Sequence, residues 1–154
     1  MISKLGWSGK FKIKAKNVLS GKVEENIINN RITDNALDKI INILDNIDPD
    51  LNIKYLAIGT GGNPVNNSDT QLNNEIFRTQ AQNSENIATG QFETKFTVLE
   101  SEAVASWKEI GIFCGDDATS TANTGTMLSR ILYSRDKTNL ELIDITRVDK
   151  IERG

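Results

Sequence analysis

Polar and apolar positions alternate strictly along KFKIKAK, residues 10–16, near the start of the chain. Phe11, Ile13 and Ala15 fall on one side and lysines on the other, which is the two-residue period of a half-buried β-strand. The pattern predicts a strand here and a second strand over 22–30. Because lysines spaced in this way protect an exposed sheet edge, we expect residues 1–30 to form strands with a lysine-rich edge.

The segment TDNALDKIINIL, residues 33–44, has the periodicity of a helix. Thr33 or Asp34 is the expected N-cap, and Pro49 cannot continue the helix, so we assign it to 33–46. Five apolar residues recur at the i, i+3, i+4, i+7 spacing that places them on one face. They are Ala36, Leu37, Ile40, Ile41 and Leu44. We expect this amphipathic helix to pack on one face of a sheet.

From 52 to 151 the pattern is typical of strands separated by turns and long loops. The predicted strands are NIKYLAIG, NNEIFRTQ, GQFETKFTVLESE, SWKEIGIFC, TMLSRILYS and NLELIDITRVDKIE, of which the last alternates less cleanly. The loops over 59–72 and 115–125 are the segments that we expect to be mobile or to contact partners. Seven or eight short strands predict a mainly β fold, an antiparallel sandwich or a partly closed barrel, in a single domain over 1–154.

Composition narrows the chemistry that the chain can perform. Its 154 residues include one cysteine, Cys114, and no histidine. The absence of histidine removes the commonest general base, the Ser-His-Asp and Cys-His arrangements and the usual transition-metal ligand. An enzyme that uses only carboxylates remains an alternative, but the composition argues against catalysis, and we expect a protein that is not an enzyme, without catalytic residues, cofactor or metal. The N-terminus lacks the apolar core of a signal peptide, and no apolar run approaches ~20 residues, so we expect no membrane association.

The charges are distributed unevenly along a chain whose net charge is −3. Residues 1–23 carry six lysines and no acidic residue. Lys10, Lys12, Lys14 and Lys16 line one side of the first predicted strand. Such a row contacts nucleic acid in some proteins, but the acidic balance and sparse aromatic residues argue against that partner here. A solvated face and an interface with an acidic protein neighbour remain the two alternatives.

A glycine cluster follows the apolar strand in IKYLAIGTGGNP. Gly59, Gly61 and Gly62 lead into Asn63 and Pro64, without the lysine and the following helix that a phosphate-binding loop requires. We therefore expect no nucleotide here. We expect the glycines to adopt positive φ angles and to direct the loop away from the sheet rim toward a neighbouring subunit.

Acidic residues in the loops offer further candidate chemistry. Asp116 and Asp117, in GDDATSTANTGT, are potential calcium ligands, but the EF-hand spacing is missing. We expect an exposed polar loop that is available for protein contacts. Asp69 and Glu75 are conceivable as a catalytic acid and base, yet a cap or a loop-to-strand hydrogen bond explains them more simply.

The order of these segments resembles a module of tailed-bacteriophage and prophage virion structural proteins. That module has a strand ending in “lAiGtG”, a proline-containing loop, an “sDT.L..E..R” segment, an “i.EiGiF” strand and a “GTmlsR” strand. The similarity extends over most of residues 26–135. The chain matches the module at 55–61, Asp69, Thr70, Leu72, Glu75, Arg78, 108–113 and 125–130.

The resemblance implies a non-enzymatic virion component that assembles in multiple copies with other virion structural proteins. It indicates a tail, baseplate or tail-fibre location, in a particle that assembles in the cytoplasm of a bacterial host. A capsid-decoration or head-fibre protein is the first alternative. A carbohydrate-binding module for host attachment is the second.

Overall fold

The computed structural model describes residues 4–45 and 50–154 as two antiparallel sheets packed together, with one short helix. The larger sheet has the strand order β2-β1-β9-β6-β5 and the smaller sheet β4-β3-β7-β8. Their strands are β1 Leu5–Asn17, β2 Val23–Asn30, β3 Ile53–Gly59, β4 Glu75–Gln80, β5 Asn83–Ala88, β6 Gln91–Val98, β7 Ser106–Cys114, β8 Thr126–Asp136 and β9 Glu141–Arg153. The helix, α1, spans Asp34–Leu44. The predicted sandwich is confirmed, and the sheets do not close into a barrel.

The lysine strand β1 is not at a sheet edge, so that prediction is wrong. β1 pairs with β2 on one side and with β9 on the other, and β2 and β5 form the edges of the larger sheet. The alternation itself is confirmed, because Phe11, Ile13 and Ala15 are buried and the lysines between them are exposed. The lysines thus cover the outer face of an interior strand.

The main core lies between the two sheets. Strand β9 contributes Ile143 and Ile145 to it, followed on the same face by Arg147 and Asp149, and all four are buried. Two charged side chains in an inward-facing row interrupt the apolar alternation, which explains why the pattern of this last strand is less clean than that of β1.

A second apolar cluster covers the outer face of the smaller sheet. Tyr55, Phe113 and Met127 project from the strands of that sheet and pack with Leu72 and Ala118 from the two long loops. Strands β3 and β7 are therefore apolar on both faces, because the loops replace water on the side away from the main core.

The helix begins as predicted but buries less of its apolar face than expected. The Thr33 hydroxyl accepts a hydrogen bond from the Ala36 N–H at 3.2 Å, which makes Thr33 the N-cap. Ala36 is buried, whereas Ile41 and Leu44 are 62% and 80% exposed. Residue 46, where we expected the helix to end, lies outside the described residues. In the part of the chain that the structure describes, no helix has the length and apolar character needed to cross a membrane.

Candidate functional site

The long loop between β3 and β4 is fastened to the smaller sheet by the carboxylate of Glu109. This side chain projects from β7 and is fully buried. Its Oε1 accepts hydrogen bonds from the N–H groups of Gly61 and Asn74, at 3.0 and 2.9 Å, and its Oε2 accepts one from the Asn73 N–H at 3.0 Å. One buried charge therefore holds both ends of the loop.

Arg130 on β8 completes this arrangement. Its Nε donates to Glu109 Oε2 at 2.7 Å, and its Nη2 donates to the carbonyl oxygen of Asn63 at 2.8 Å. Its Nη1 lies 3.4 Å from the Pro64 carbonyl oxygen and 3.3 Å from Asp69 Oδ2. We call the pair Glu109–Arg130 the first clamp. The predicted contact residues Asn63 and Pro64 thus lie on a loop whose backbone the first clamp holds.

The prediction that Gly59, Gly61 and Gly62 adopt positive φ angles is wrong, since the positive φ values occur at other glycines. A Cβ atom added to Gly59 would lie 2.4 Å from Glu109 Oε1, and one added to Gly61 would lie 2.1 Å from the Cβ of Asn73. At Gly62 the nearest atom would be 3.5 Å away. Two of the three glycines are therefore required by close approach to the first clamp and its loop.

A second clamp holds the loop between β7 and β8. Arg78 donates to both carboxylate oxygens of Glu75, at 2.7 and 2.8 Å, and its Nη1 donates to the carbonyl oxygens of Thr119 and Thr124. Its guanidinium carbon lies 4.5 Å from the ring centroid of Phe113, within the range of a cation–π contact. We call the pair Glu75–Arg78 the second clamp. Its contacts give Glu75 a structural role, of the kind that we expected from a loop-to-strand hydrogen bond.

Asp116 and Asp117 lie on the exposed part of this second loop. Lys54 Nζ is 3.4 Å from Asp116 Oδ1 and 3.6 Å from Asp50 Oδ2. A hydrogen bond between the two carboxyl groups raises the pKa of Asp116 and lowers the pKa of Asp50. Among residues 4–45 and 50–154 no group of three His, Cys, Asp or Glu side chains is arranged to hold a metal ion.

The row of lysines is exposed on the outer face of the larger sheet. Lys12 Nζ lies 3.6 Å from Glu25 Oε1 on β2, and the strand register places Lys14 opposite Glu25 and Asp144. The structure places these lysines side by side on the larger sheet. Asp116 and the glycine loop lie on the loops that connect strands of the smaller sheet.

A third ion pair, which sequence reasoning missed, lies between the two sheets. Arg147 is fully buried, and its Nη2 donates to Asp149 Oδ1 at 2.8 Å while its Nη1 donates to the Ser129 hydroxyl. A Cβ atom at Gly9 would lie 2.0 Å from Arg147 Nη2, so the glycine leaves room for the guanidinium. Gly9 interrupts the alternation of β1, and this interruption, together with the less clean alternation of β9, is the signal for the pair in the sequence.

A cavity of about 530 Å³ opens beside this ion pair, at one end of the sandwich. Trp7 lines it and donates from its Nε1 to Asp149 Oδ1 at 3.1 Å. The other lining residues are mainly apolar and include Ile40, Leu51, Phe92 and Ile151. We call this the end cavity; the sequence did not predict it, because its walls come from strands and a helix that are distant in the chain.

No protein-family model, curated protein or solved structure matches the chain. The resemblance to virion proteins therefore stays a prediction. Several of the positions that carry it have a common structural role. Glu75, Arg78, Glu109 and Arg130 form the two clamps, Asp69 contacts Arg130, and Leu72 belongs to the apolar cluster beneath the loops.

Proposed function

We propose that the protein is a non-enzymatic structural component of a bacteriophage or phage-tail-like particle, associated with the tail, baseplate or fibre. One observation carries this proposal. Five of the residues through which the sequence resembles virion proteins, Asp69, Glu75, Arg78, Glu109 and Arg130, take part in fastening the two long loops to the smaller sheet. A subunit of a symmetric particle needs surface shapes that are the same in every copy, and clamped loops provide them.

The environment of the loop carboxylates also supports a structural role. Glu109 accepts three backbone N–H groups and an arginine, and Glu75 accepts two hydrogen bonds from Arg78. The oxygens of both carboxylates are thus engaged by groups that fix the two loops, as expected of side chains with a structural role. These groups hold the fold together.

Immunogold electron microscopy of purified particles tests the proposal directly. Antibodies against the protein should label the tail end of particles released from a producing host, and the protein should co-purify with them at a fixed stoichiometry. Absence of the protein from purified particles would contradict a virion role. Label confined to the head would replace the tail location with the capsid-decoration or head-fibre alternative.

A carbohydrate-binding role in host attachment is the second candidate. Trp7 and Phe92 are only partly buried and both line the end cavity, where Asn52 and Gln91 add polar groups. Sugar rings bind to sites of this mixed character. A glycan array probed with the isolated protein, and with its Trp7→Ala variant, examines this candidate; specific binding that the variant loses would favour it over a purely structural role.

A further inference from the structure

Helix α1 presents an apolar stripe and an acidic stripe to solvent, side by side. The apolar stripe recurs at the i, i+4, i+7 spacing, and its side chains are between 46% and 80% exposed. It consists of Leu37, Ile41 and Leu44. At about 100° per residue, three exposed aspartates fall directly beside it. They are Asp34, Asp38 and Asp45. We call these six residues the acidic helix face.

The charges of the acidic helix face are not neutralised by the rest of the structure. Within residues 4–45 and 50–154, no lysine or arginine forms an ion pair with any of the three aspartates. Asp45 stands at the C-terminal end of α1, whose last turn has no basic residue. The partial negative charge of a helix C-terminus is unfavourable for a carboxylate at that position. A basic surface on a partner would therefore stabilise this face.

The outer face of β1 and β2 has the complementary chemistry. In the same described ranges, Lys12 is the one member of the lysine row, residues 10, 12, 14 and 16, with an ion-pair partner. Ile27, 58% exposed, lies opposite Lys12 on β2, and Val23, 44% exposed, lies opposite Lys16. Each surface thus combines aliphatic side chains with charges, and the charges have opposite signs. The lengths also agree, because the lysine row extends over about 20 Å of strand and α1 is about 17 Å long.

These two surfaces cannot meet within one chain. The helix lies on the inner side of the larger sheet, where Ile40 lines the end cavity together with Trp7, which packs against the main core. The lysines project from the outer side of that sheet. Because the sheet itself stands between them, only a helix from another molecule can reach the lysine row.

We infer that the acidic helix face of one copy of this chain binds the lysine row of the next copy. The inference deepens the proposed function, on which its setting in a particle rests, and it names the acidic neighbour of the lysine row as α1 of a second copy. The contact joins two different surfaces. Repetition therefore gives a ring where the rotation closes and a filament where it does not.

Sedimentation velocity over a concentration series, at low and at high salt, measures this association. The wild-type protein should form larger species as its concentration rises, and added salt should weaken them, because exposed charges are screened. Reversing either surface, by Asp38→Lys with Asp45→Lys or by Lys10→Glu with Lys16→Glu, should weaken the association about tenfold or more, since attraction becomes repulsion. Lys108→Glu is the control. Lys108 is exposed on the smaller sheet, so its reversal should leave the association unchanged.

The positions of these changes keep the fold intact. The neighbours of Lys10 and Lys16 on β2 and β9 are uncharged, so glutamates there create no repulsion within the sheet. A lysine at position 45 suits the C-terminal end of the helix better than the aspartate does. Circular dichroism should therefore give the same spectrum for each variant as for the wild type.

Combining the four substitutions in one chain tests the pairing itself. The combined variant has a basic helix face, an acidic sheet face and the net charge of the wild type. It should recover the association that each two-residue variant loses. A combined variant as weak as the two-residue variants would overturn the inference, and so would a wild-type protein that stays monomeric at every concentration.

Leu37→Gln tests the apolar stripe separately from the charges. Leu37 and Leu99, which follows β6, are each 46% exposed, so Leu99→Gln is a matched control. We expect Leu37→Gln to weaken the association severalfold and Leu99→Gln to leave it unchanged, because only the first lies in the contact. Equal effects of the two changes would contradict the inferred contact.

The particle experiment separates this inference from the proposed function. A protein that stays monomeric in solution and is nevertheless found in purified particles would overturn the contact and leave the proposed function standing. A protein that associates as expected, with recovery by the combined variant, and is absent from particles would support the contact and contradict the virion role.

Discussion

The two outer faces of the sandwich are built in opposite ways. On the smaller sheet, two long loops cover an apolar cluster and are held there by the buried clamps Glu109–Arg130 and Glu75–Arg78. On the larger sheet, exposed lysines stand on an interior strand and pair at most loosely, as Lys12 does with Glu25 at 3.6 Å. An ion pair therefore contributes differently to stability on the two faces, because its contribution depends on burial and not on charge alone.

Removal of one member of a clamp should have the largest effect. Glu109→Gln removes the closer of the two carboxylates that face the buried Arg130 guanidinium and leaves Asp69, 3.3 Å from its Nη1, so we expect the free energy of unfolding to fall by about 3–5 kcal/mol. Urea denaturation followed by circular dichroism measures the change. Glu25→Gln on the other face is the matched control and should cost about 0.5 kcal/mol or less, because that pair is exposed. Equal losses from the two variants would remove the distinction between the faces.

Adding one methyl group to the clamped loop, at Gly61, should have the next largest effect on stability. Gly61→Ala places a Cβ atom 2.1 Å from the Cβ of Asn73, so the loop must shift and lengthen its hydrogen bonds to Glu109. We expect a loss of about 1–3 kcal/mol by the same measurement. Gly62→Ala is the control, since its nearest contact would be an ordinary 3.5 Å, and it should be close to neutral. A neutral Gly61→Ala would show that the loop adapts freely.

The ion pair of Arg135 on β8 with Glu141 on β9, which joins the two sheets, should give a smaller, pH-dependent effect. Burial raises the pKa of Glu141, but hydrogen bonds from Arg135 and from the Thr138 N–H outweigh it, so the pKa lies below the ordinary value. The stabilisation is therefore fully present above the ordinary glutamate pKa, about 4.3, and is lost as the pH falls through the lower pKa of the folded state. The difference in the free energy of unfolding between wild type and Glu141→Gln should become smaller as the pH falls from 5 to 3. These two limits lie about one unit above and below the ordinary glutamate pKa. Parallel pH curves would rule out this linkage.

Neutralising the exposed face should have the smallest effect on the fold. Replacement of Lys10, Lys12, Lys14 and Lys16 by glutamine should change the free energy of unfolding by about 1 kcal/mol or less in total. If this face meets an acidic neighbour, the same variant should be incorporated poorly into particles, as measured by quantitative immunoblotting. Normal incorporation would show that the lysine row is only solvated.

Local patterns predicted the elements whose apolar positions recur with one regular period. The alternation of β1 and the capped periodicity of α1 were sufficient, because such elements obey a single period. Strand β5 has no such signal, since every residue from Asn83 to Ala88 is exposed, and we did not predict it as a separate strand. The edge position of β1 was predicted wrongly because lysines on a solvated face and lysines at an edge give the same pattern.

The candidate site was predicted only in part, for a related reason. The two long loops were identified from composition, and Glu75 and Arg78 stand three residues apart in the sequence. The partners of Glu109 lie 21 to 48 residues away in the chain, and no local pattern records such pairings. Arg147 resembles any exposed arginine until Gly9, on a different strand, is known to leave space for it.

The hydrogen bonds into Glu109 have a consequence for how the protein opens. The amide protons of Gly61, Asn73 and Asn74 point into a buried carboxylate, so they cannot exchange with solvent deuterons while the first clamp is intact. Breaking the clamp exposes a charge pair and the apolar cluster together, which ties this irregular segment to the unfolding of the sheet beneath it. These three amides, in a loop without regular secondary structure, would thus exchange their hydrogens as slowly as those of a central strand do.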